Sequence, residues 1–409
     1  QEIAEKLVAD LQIAINENNK FISITKIFNE NSISTEQSKE IICKLQKFFP
    51  GIILQPAEEA VVSQDSFTPV TELNPEIERI IAEYHIGGVI LSRPNFKSKE
   101  QAKKLVDDFK KAATRLGNSP ILVCVDQEGG KVERFNFSGR ILKDNLEIKT
   151  SEEAFQKGQI IGKELREIGI ICDFAPVVDI NSNPKNPIIN TRSFGDDPNF
   201  VAKLGVSFVK GLHSEGIMAT AKHFPGHGDT NEDSHLELPV INKNYEELSA
   251  CEFIPFQVMS DNSVDMIMTA HIAVPKVDGR IFISKKNSKE FYLPATLSSV
   301  FIIDLLRNKI GFKGVIIADG INMGAITENI GKYKAIKMAI EAGNDIILIP
   351  IRLRSKSGIS RLDKIFSMLK SAVSNGEISE ARLNESVERI LKLKDKYCKN
   401  PEQEIETSK

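Results

Sequence analysis

Short, nearly uniform runs of apolar residues alternate along this chain with longer stretches whose apolar positions recur at helical spacing. The runs begin at Ile52 (IILQ), Gly87 (GGVIL), Ile121 (ILVCVD), Cys172 (CDFAPVVDI), Ala219 (ATAKH), Met266 (MIMTAH), Gly314 (GVIIAD) and Asp345 (DIILIP). Strands that are apolar throughout, instead of alternating with polar residues, are those of a parallel sheet covered on both faces. Helical patterns fill the intervals: Lys99 to Leu116, Glu152 to Ile168, Asn199 to Glu215, Tyr245 to Met259, Leu297 to Ile310 and Tyr333 to Ala342. Several stop at a glycine, the residue that most readily takes the left-handed conformation closing a helix. Strand starts lie 31 to 51 residues apart, which suits βα units with some long loops. Eight such units predict an α/β fold of the closed (β/α)8, TIM-barrel type in preference to a doubly wound sheet.

The flanks differ from this repeat. Residues 1–49 carry Lys/Glu/Asn-rich helical patterns around Leu7 to Ile15 and Thr35 to Phe48, and read as an N-terminal helical extension. Residues 50–399 read as a single barrel domain, closed by helices at Ser360 to Leu369 and Glu380 to Tyr397, and residues 400–409 as a polar tail. With 41% hydrophobic residues in 409, one large core is within reach and no second domain is needed. A balance of 53 basic against 56 acidic residues supplies no field for nucleic acid. No apolar run approaches the ~20 residues of an integral membrane segment. Five cysteines (Cys43, Cys124, Cys172, Cys251, Cys398), an odd number at irregular spacing, read as reduced residues and not a disulfide framework.

Chemistry concentrates in Lys222 to His235 (KHFPGHGDTNEDSH), which holds three of the six histidines and directly follows a strand pattern. Active sites of barrels sit in such strand-end loops. Asp126, Lys222, His223, His271 and Asp319 each interrupt an apolar run at its C-terminal end. A charge there is costly to bury unless paired or used, so several together point to a pocket. Asp345 stands at the opposite end of its strand and reads as structural. His223, His227, His235, Asp229 and Asp233 offer enough ligands for a metal hydrolase. Yet Pro225 and Gly226 break the helical i,i+4 geometry of a zinc motif, so neither metal nor other cofactor is expected. Gly87-Gly88 and Gly129-Gly130 complete no phosphate- or dinucleotide-binding fingerprint.

Four segments in order carry a family resemblance: DQEGGKVER (126–134), IINTRSFGDDP (188–198), KHFPGHG with DSH after it (222–235), and GVIIADGINM (314–323). Together they resemble the β-N-acetylglucosaminidases of glycoside hydrolase family 3, the NagZ-like branch, over about Gly87 to Tyr397. The resemblance implies a retaining, two-step removal of terminal β-linked N-acetylglucosamine, above all from peptidoglycan fragments (muropeptides), by a monomer without a cofactor. Asp319 takes the nucleophile's place at the end of a buried strand, with Gly320 allowing close approach of a sugar. Its alternative is an N-cap of the helix starting near Met323. His235 corresponds to the general acid/base, oriented by Asp233 two residues earlier, in place of the usual second carboxylate. Asp126, Arg134, Arg192, Lys222 and His223 are the implied sugar-binding residues, with Met323 at the apolar edge of the pocket or in ordinary packing. Glu128 and Asp179 either bind or fix the backbone around them, and His227 fixes its loop. Gly226 and Gly228 are expected to let that loop move over the sugar. One departure is Gly320, where relatives often carry a second aspartate. A β-glucosidase of the same family and a non-catalytic carbohydrate-binding barrel are the alternatives. The helical extension and the start at Gln1 favour an exported, periplasmic or secreted enzyme over a cytoplasmic one.

Overall fold

The computed structural model describes residues 52–54, 70–115, 117–230, 238–349 and 356–398. The helical extension at 1–49, Asp233, His235 and the tail at 400–409 lie outside the described residues. The strands, in chain order, are β1 Ile52–Leu54, β2 Gly88–Leu91, β3 Leu122–Val125, β4 Cys172–Asp173, β5 Met218–Phe224, β6 Met266–Thr269, β7 Ile281–Ile283, β8 Glu290–Tyr292, β9 Val315–Ala318 and β10 Ile346–Ile349. Eight of them pair in the closed order β1-β10-β9-β6-β5-β4-β3-β2, every ladder parallel. All eight expected barrel strands are present.

Successive side chains of a strand point to opposite faces. One set, Ile90, Leu122, Cys124, Cys172, Met218, Met266, Met268, Val315, Ile317, Ile346 and Leu348, packs as the core inside the barrel. The other, including Val89, Leu91, Val123, Val125, Ile267, Ile316 and Ile347, packs outward against the helices. Continuing the inner set in steps of two toward the C-terminal ends reaches Asp126 from Leu122 and Cys124, Lys222 from Met218 through Thr220, and Asp319 from Val315 and Ile317. The period that buries the core therefore delivers three charged groups to the barrel mouth.

The opposite end is closed by the helix Glu380–Tyr397, whose Ile390 and Leu393 complete the inner core. Asp345 is the fixing point there. It is fully buried and accepts from Ile316 N at 2.9 Å and Ser386 at 2.7 Å, with Arg307 and Arg389 also in contact. This fits the structural reading of Asp345.

Four details depart from the sequence reading. The run from Cys172 keeps only two residues of regular ladder, because Pro176 has no N–H to give; the chain rejoins β5 through the Val177–Lys222 bridge. The helical pattern from Tyr245 to Met259 divides into Tyr245–Ser249 and Phe253–Asp261. The helical pattern starting at Leu297 winds as a π-helical segment, Val300–Lys309, with Ile310 N bonded five residues back to the Leu305 carbonyl at 2.8 Å. The antiparallel hairpin β7–β8 was not anticipated. Among the described residues no helix is long and apolar enough to cross a membrane.

Candidate active site

The site begins where β3, β5 and β9 end. Lys222, almost fully buried, donates to Asp126 Oδ1 at 2.8 Å and lies 2.7 Å from Glu128 Oε1. Glu128 also receives both prongs of Arg192, Nε to Oε2 at 2.9 Å and a terminal nitrogen to Oε1 at 2.7 Å. Arg134 approaches Asp126 Oδ2 at 3.3 Å. Three cations thus share two carboxylates. Burial alone would raise the Glu128 and Asp126 carboxyls, but Arg192 and Lys222 hold the first well below the usual range, and Lys222 and Arg134 hold the second below it. Reciprocally, burial lowers Lys222 but the two carboxylates outweigh it and keep the ammonium charged.

Exposure separates the two acids. The Asp126 side chain keeps 19% of its surface open and Glu128 only 1%, so Asp126 faces the mouth while Glu128 is sealed behind it as the clamp of Arg192 and Lys222. The sequence reading left Glu128 between binding and fixing; its fixing acts on these two cations, not on Gly129-Gly130.

A second cluster lies beside the first. A register shift of β5 against β6 between Lys222 and Phe224 sends Phe224 into the outer shell, stacked on Phe253 and edge-on to Phe256. His223 is thereby free to pair with Asp179, Nδ1 to Oδ2 at 2.6 Å, while Asp179 also accepts the backbone N–H groups of His223 at 3.2 Å and His227 at 2.6 Å. Burial opposes the Asp179 charge, and His223, His227 and the His227 N–H hold its carboxyl low. His227 rests on Thr230 Oγ1 at 2.9 Å, and burial with the neighbouring His223 pushes it down to about 4. His227 is the loop-fixing residue expected of it.

The glycines of this loop sit against their surroundings with no room for a side chain. A Cβ on Gly228 would stand 1.6 Å from the Ile180 carbonyl oxygen, and Gly226 has φ +124° with the Glu252 side chain 2.8 Å from its would-be Cβ. Asn186 then ties the loop down, donating to the carbonyls of His227 at 2.8 Å and of Gly228 and Thr230 at 3.1 Å. At 226–228 these glycines permit close backbone packing; the part of the loop that carries His235, expected to move over the sugar, lies outside the described residues. Asn186 had no signal in the sequence.

Asp319 completes the described site. Its backbone N–H bonds the Thr269 carbonyl at 3.1 Å, locking it to β6, and its own Oδ1 accepts from Gly320 N at 2.7 Å. Met323, half-buried, is the N-cap of the short helix Gly324–Thr327, so the capping alternative for Asp319 is ruled out. Burial would raise the Asp319 carboxyl, but His271, His223 and the Gly320 N–H outweigh it and hold the group below its ordinary value. Asp126, Arg134, Lys222, His223, Arg192 and Asp319 are thus gathered at one end of the barrel; Asp233 and His235 lie outside the described residues.

A closed parallel barrel with carboxylates and cationic donors gathered at its strand ends has the site architecture of a barrel enzyme. The chain belongs to glycoside hydrolase family 3: residues 58–393 match the glycosyl hydrolase family 3 N terminal domain. It is similar to beta-hexosaminidase A of Pseudoalteromonas piscicida, 35% identical over 343 residues that make up 82% of this chain and 57% of that protein. It is also similar to the beta-hexosaminidase of Neisseria gonorrhoeae, 34% identical over 68% of this chain and 74% of the relative. Among solved structures, a glycoside hydrolase family 3 beta-N-acetylglucosaminidase from Paenibacillus superposes with TM-score 0.77 and 36% identity, over 87% of this chain and 62% of that one. NagZ from Neisseria gonorrhoeae in complex with N-trifluoroacetyl-D-glucosamine gives 0.65 and 29%, over 84% and 90%. The chain therefore spans less than two thirds of the Pseudoalteromonas and Paenibacillus proteins.

Proposed function

We propose that this protein is a retaining exo-β-N-acetylglucosaminidase that removes terminal β-linked N-acetylglucosamine from peptidoglycan fragments. The observation that carries the reading is Asp319: a carboxylate held in its charged form, aimed by strand geometry from the inner face of β9, with part of its surface open to the mouth. Family membership and relatives named beta-hexosaminidase and beta-N-acetylglucosaminidase support the substrate class.

In the first step an Asp319 oxygen attacks the anomeric carbon as the glycosidic C–O bond breaks, and the His235 imidazolium gives its proton to the departing oxygen. In the second, the neutral imidazole takes a proton from water, whose oxygen attacks the same carbon and releases Asp319 as a carboxylate, so configuration is retained. Asp233 orients and charges His235. Asp126 accepts from sugar hydroxyls, while Lys222, His223, Arg134 and Arg192 donate to sugar oxygens or brace the groups that do; Met323 lines the apolar edge. Such charge-assisted bonds are directional and strong in a site that excludes water.

A panel of chromogenic β-glycosides tests this. Hydrolysis of the β-N-acetylglucosaminide well above the β-glucoside and β-xyloside is expected. Preference for the β-glucoside would assign the chain to a glucosidase, and binding without turnover of any glycoside to a carbohydrate-binding barrel.

A further inference from the structure

His271 follows β6 and is 1% exposed, yet it has no place in the mechanism above. Its two ring nitrogens meet two acceptors. Nε2 faces the Gly320 carbonyl at 3.0 Å, and a carbonyl can only accept, so Nε2 carries a proton. Nδ1 faces the Thr296 hydroxyl at 3.1 Å. That hydroxyl has a single proton, and it points to the Ala270 carbonyl at 2.6 Å, a separation two oxygens reach only with a hydrogen between them. Thr296 therefore offers Nδ1 a lone pair, and Nδ1 must carry a proton as well. The Thr296 backbone is pinned beside it: its N–H also bonds the Ala270 carbonyl at 3.2 Å, and its carbonyl accepts from Asn344 Nδ2 at 2.9 Å.

A ring that donates from both nitrogens is an imidazolium. The geometry assigns His271 as a protonated positioning residue, a buried positive charge bonded to the carbonyl of the residue that follows Asp319. The other cations of the mouth are engaged elsewhere, Lys222 and Arg192 on Glu128 and Lys222 and Arg134 on Asp126. The groups that bear most on Asp319 are His271 from the end of β6, His223 from β5, Asp126 from β3 as a repelling charge, and its own neighbouring Gly320 N–H, with His227 also within its field. Of the favourable ones His271 is the strongest.

The inference rests on Asp319 as the proposed nucleophile and says what the charge does for it. Before attack, the imidazolium keeps a desolvated carboxylate ionised. When the ester forms, that negative charge disappears; when water breaks the ester it reappears beside the same fixed cation. His271 thereby assists the second step, in which Asp319 is the leaving group. Its bond to the Gly320 carbonyl holds the backbone immediately after the nucleophile.

Two measurements decide it. In the full-length wild-type chain labelled with 15N-histidine, only six histidines need resolving, and the His271 signals are identified by their loss in His271→Asn. Both nitrogens are expected in the protonated range at pH 7.5, and in Asp319→Asn the same pair should pass to the neutral form at lower pH than in wild type. One unprotonated nitrogen at pH 7.5, or an unchanged titration in Asp319→Asn, would overturn the assignment. For kinetics, His271→Asn keeps a donor for Gly320 but no charge, so the acid limb of kcat/KM should move up by about one pH unit. An aryl N-acetylglucosaminide should then show a burst as the second step slows. An unmoved acid limb in the folded variant would overturn the role. Should Asp319→Asn itself retain turnover, the mechanism above fails while the imidazolium signature in wild type stands, so the two failures are distinguishable.

Discussion

Each carboxylate drawn into the barrel mouth stays charged by a different device, and the devices predict different consequences of removal. Glu128 is sealed and holds Arg192 and Lys222, so Glu128→Gln leaves two buried cations short of a partner and should cost about 3–5 kcal/mol of folding stability, read from urea unfolding. Asp126 keeps an open edge; Asp126→Asn should cost less stability than Glu128→Gln but lose affinity and rate on N-acetylglucosaminides. If the stability losses came in the reverse order, the division into clamp and contact would be wrong. Asp319→Ala should fold and lose on the order of 10³-fold or more in turnover, since the carboxylate proposed to form the covalent intermediate is gone. The candidate residues legible in the sequence were those set by strand periodicity: Asp126, Lys222 and Asp319 each close an inner-facing row. Who pairs with whom was not legible. Arg192 and Glu128 are 64 positions apart, and nothing local says that this acid, and not Asp126 or Asp179, takes the guanidinium. His271 was visible as a strand-end polar group, but the acceptor that decides its protonation, Thr296, comes from the following loop.

At the scale of elements, the barrel strands were legible because parallel strands bury both faces and show it as unbroken apolar runs. What escaped were features whose cause is tertiary. β7 and β8 are three residues each, and their outward Ile281, Ile283 and Tyr292 blur any contrast between faces. The shift in β5 that separates His223 from Phe224 depends on the aromatic shell waiting for Phe224, which lies in other elements. In the loop after β5 the glycine at 228 is required by the Ile180 carbonyl, a tertiary contact that the local sequence does not show. Gly228→Ala should therefore displace backbone, lowering stability by about 1–3 kcal/mol and depressing activity with it. A variant with an unchanged unfolding midpoint and full activity would contradict that need for glycine.

For the whole molecule, charge buried in the mouth links folding to pH. The Asp126, Glu128 and Asp179 carboxyls sit below their ordinary values. Their contribution is complete above the unfolded-state values of about 4 and is lost as pH falls through the depressed folded ones. His227 acts earlier. Its folded value of about 4 lies under the ordinary 6.5, so the unfolded chain binds its proton first and stability declines as pH falls from 6.5 toward 4. Urea unfolding of the wild type should show that decline, and His227→Asn should flatten it between those limits; an equal slope in both proteins would contradict a neutral, buried His227. The central claim, attack by Asp319 with His235 as acid/base, is tested most directly by trapping the intermediate. His235→Ala, mixed with an activated aryl β-N-acetylglucosaminide that needs little protonation to depart, should release a burst of aryl alcohol and then stall. Peptide mass spectrometry of the quenched protein should find one N-acetylhexosamine esterified to Asp319. Steady hydrolysis without a burst, or a sugar carried on any other residue, would contradict the account.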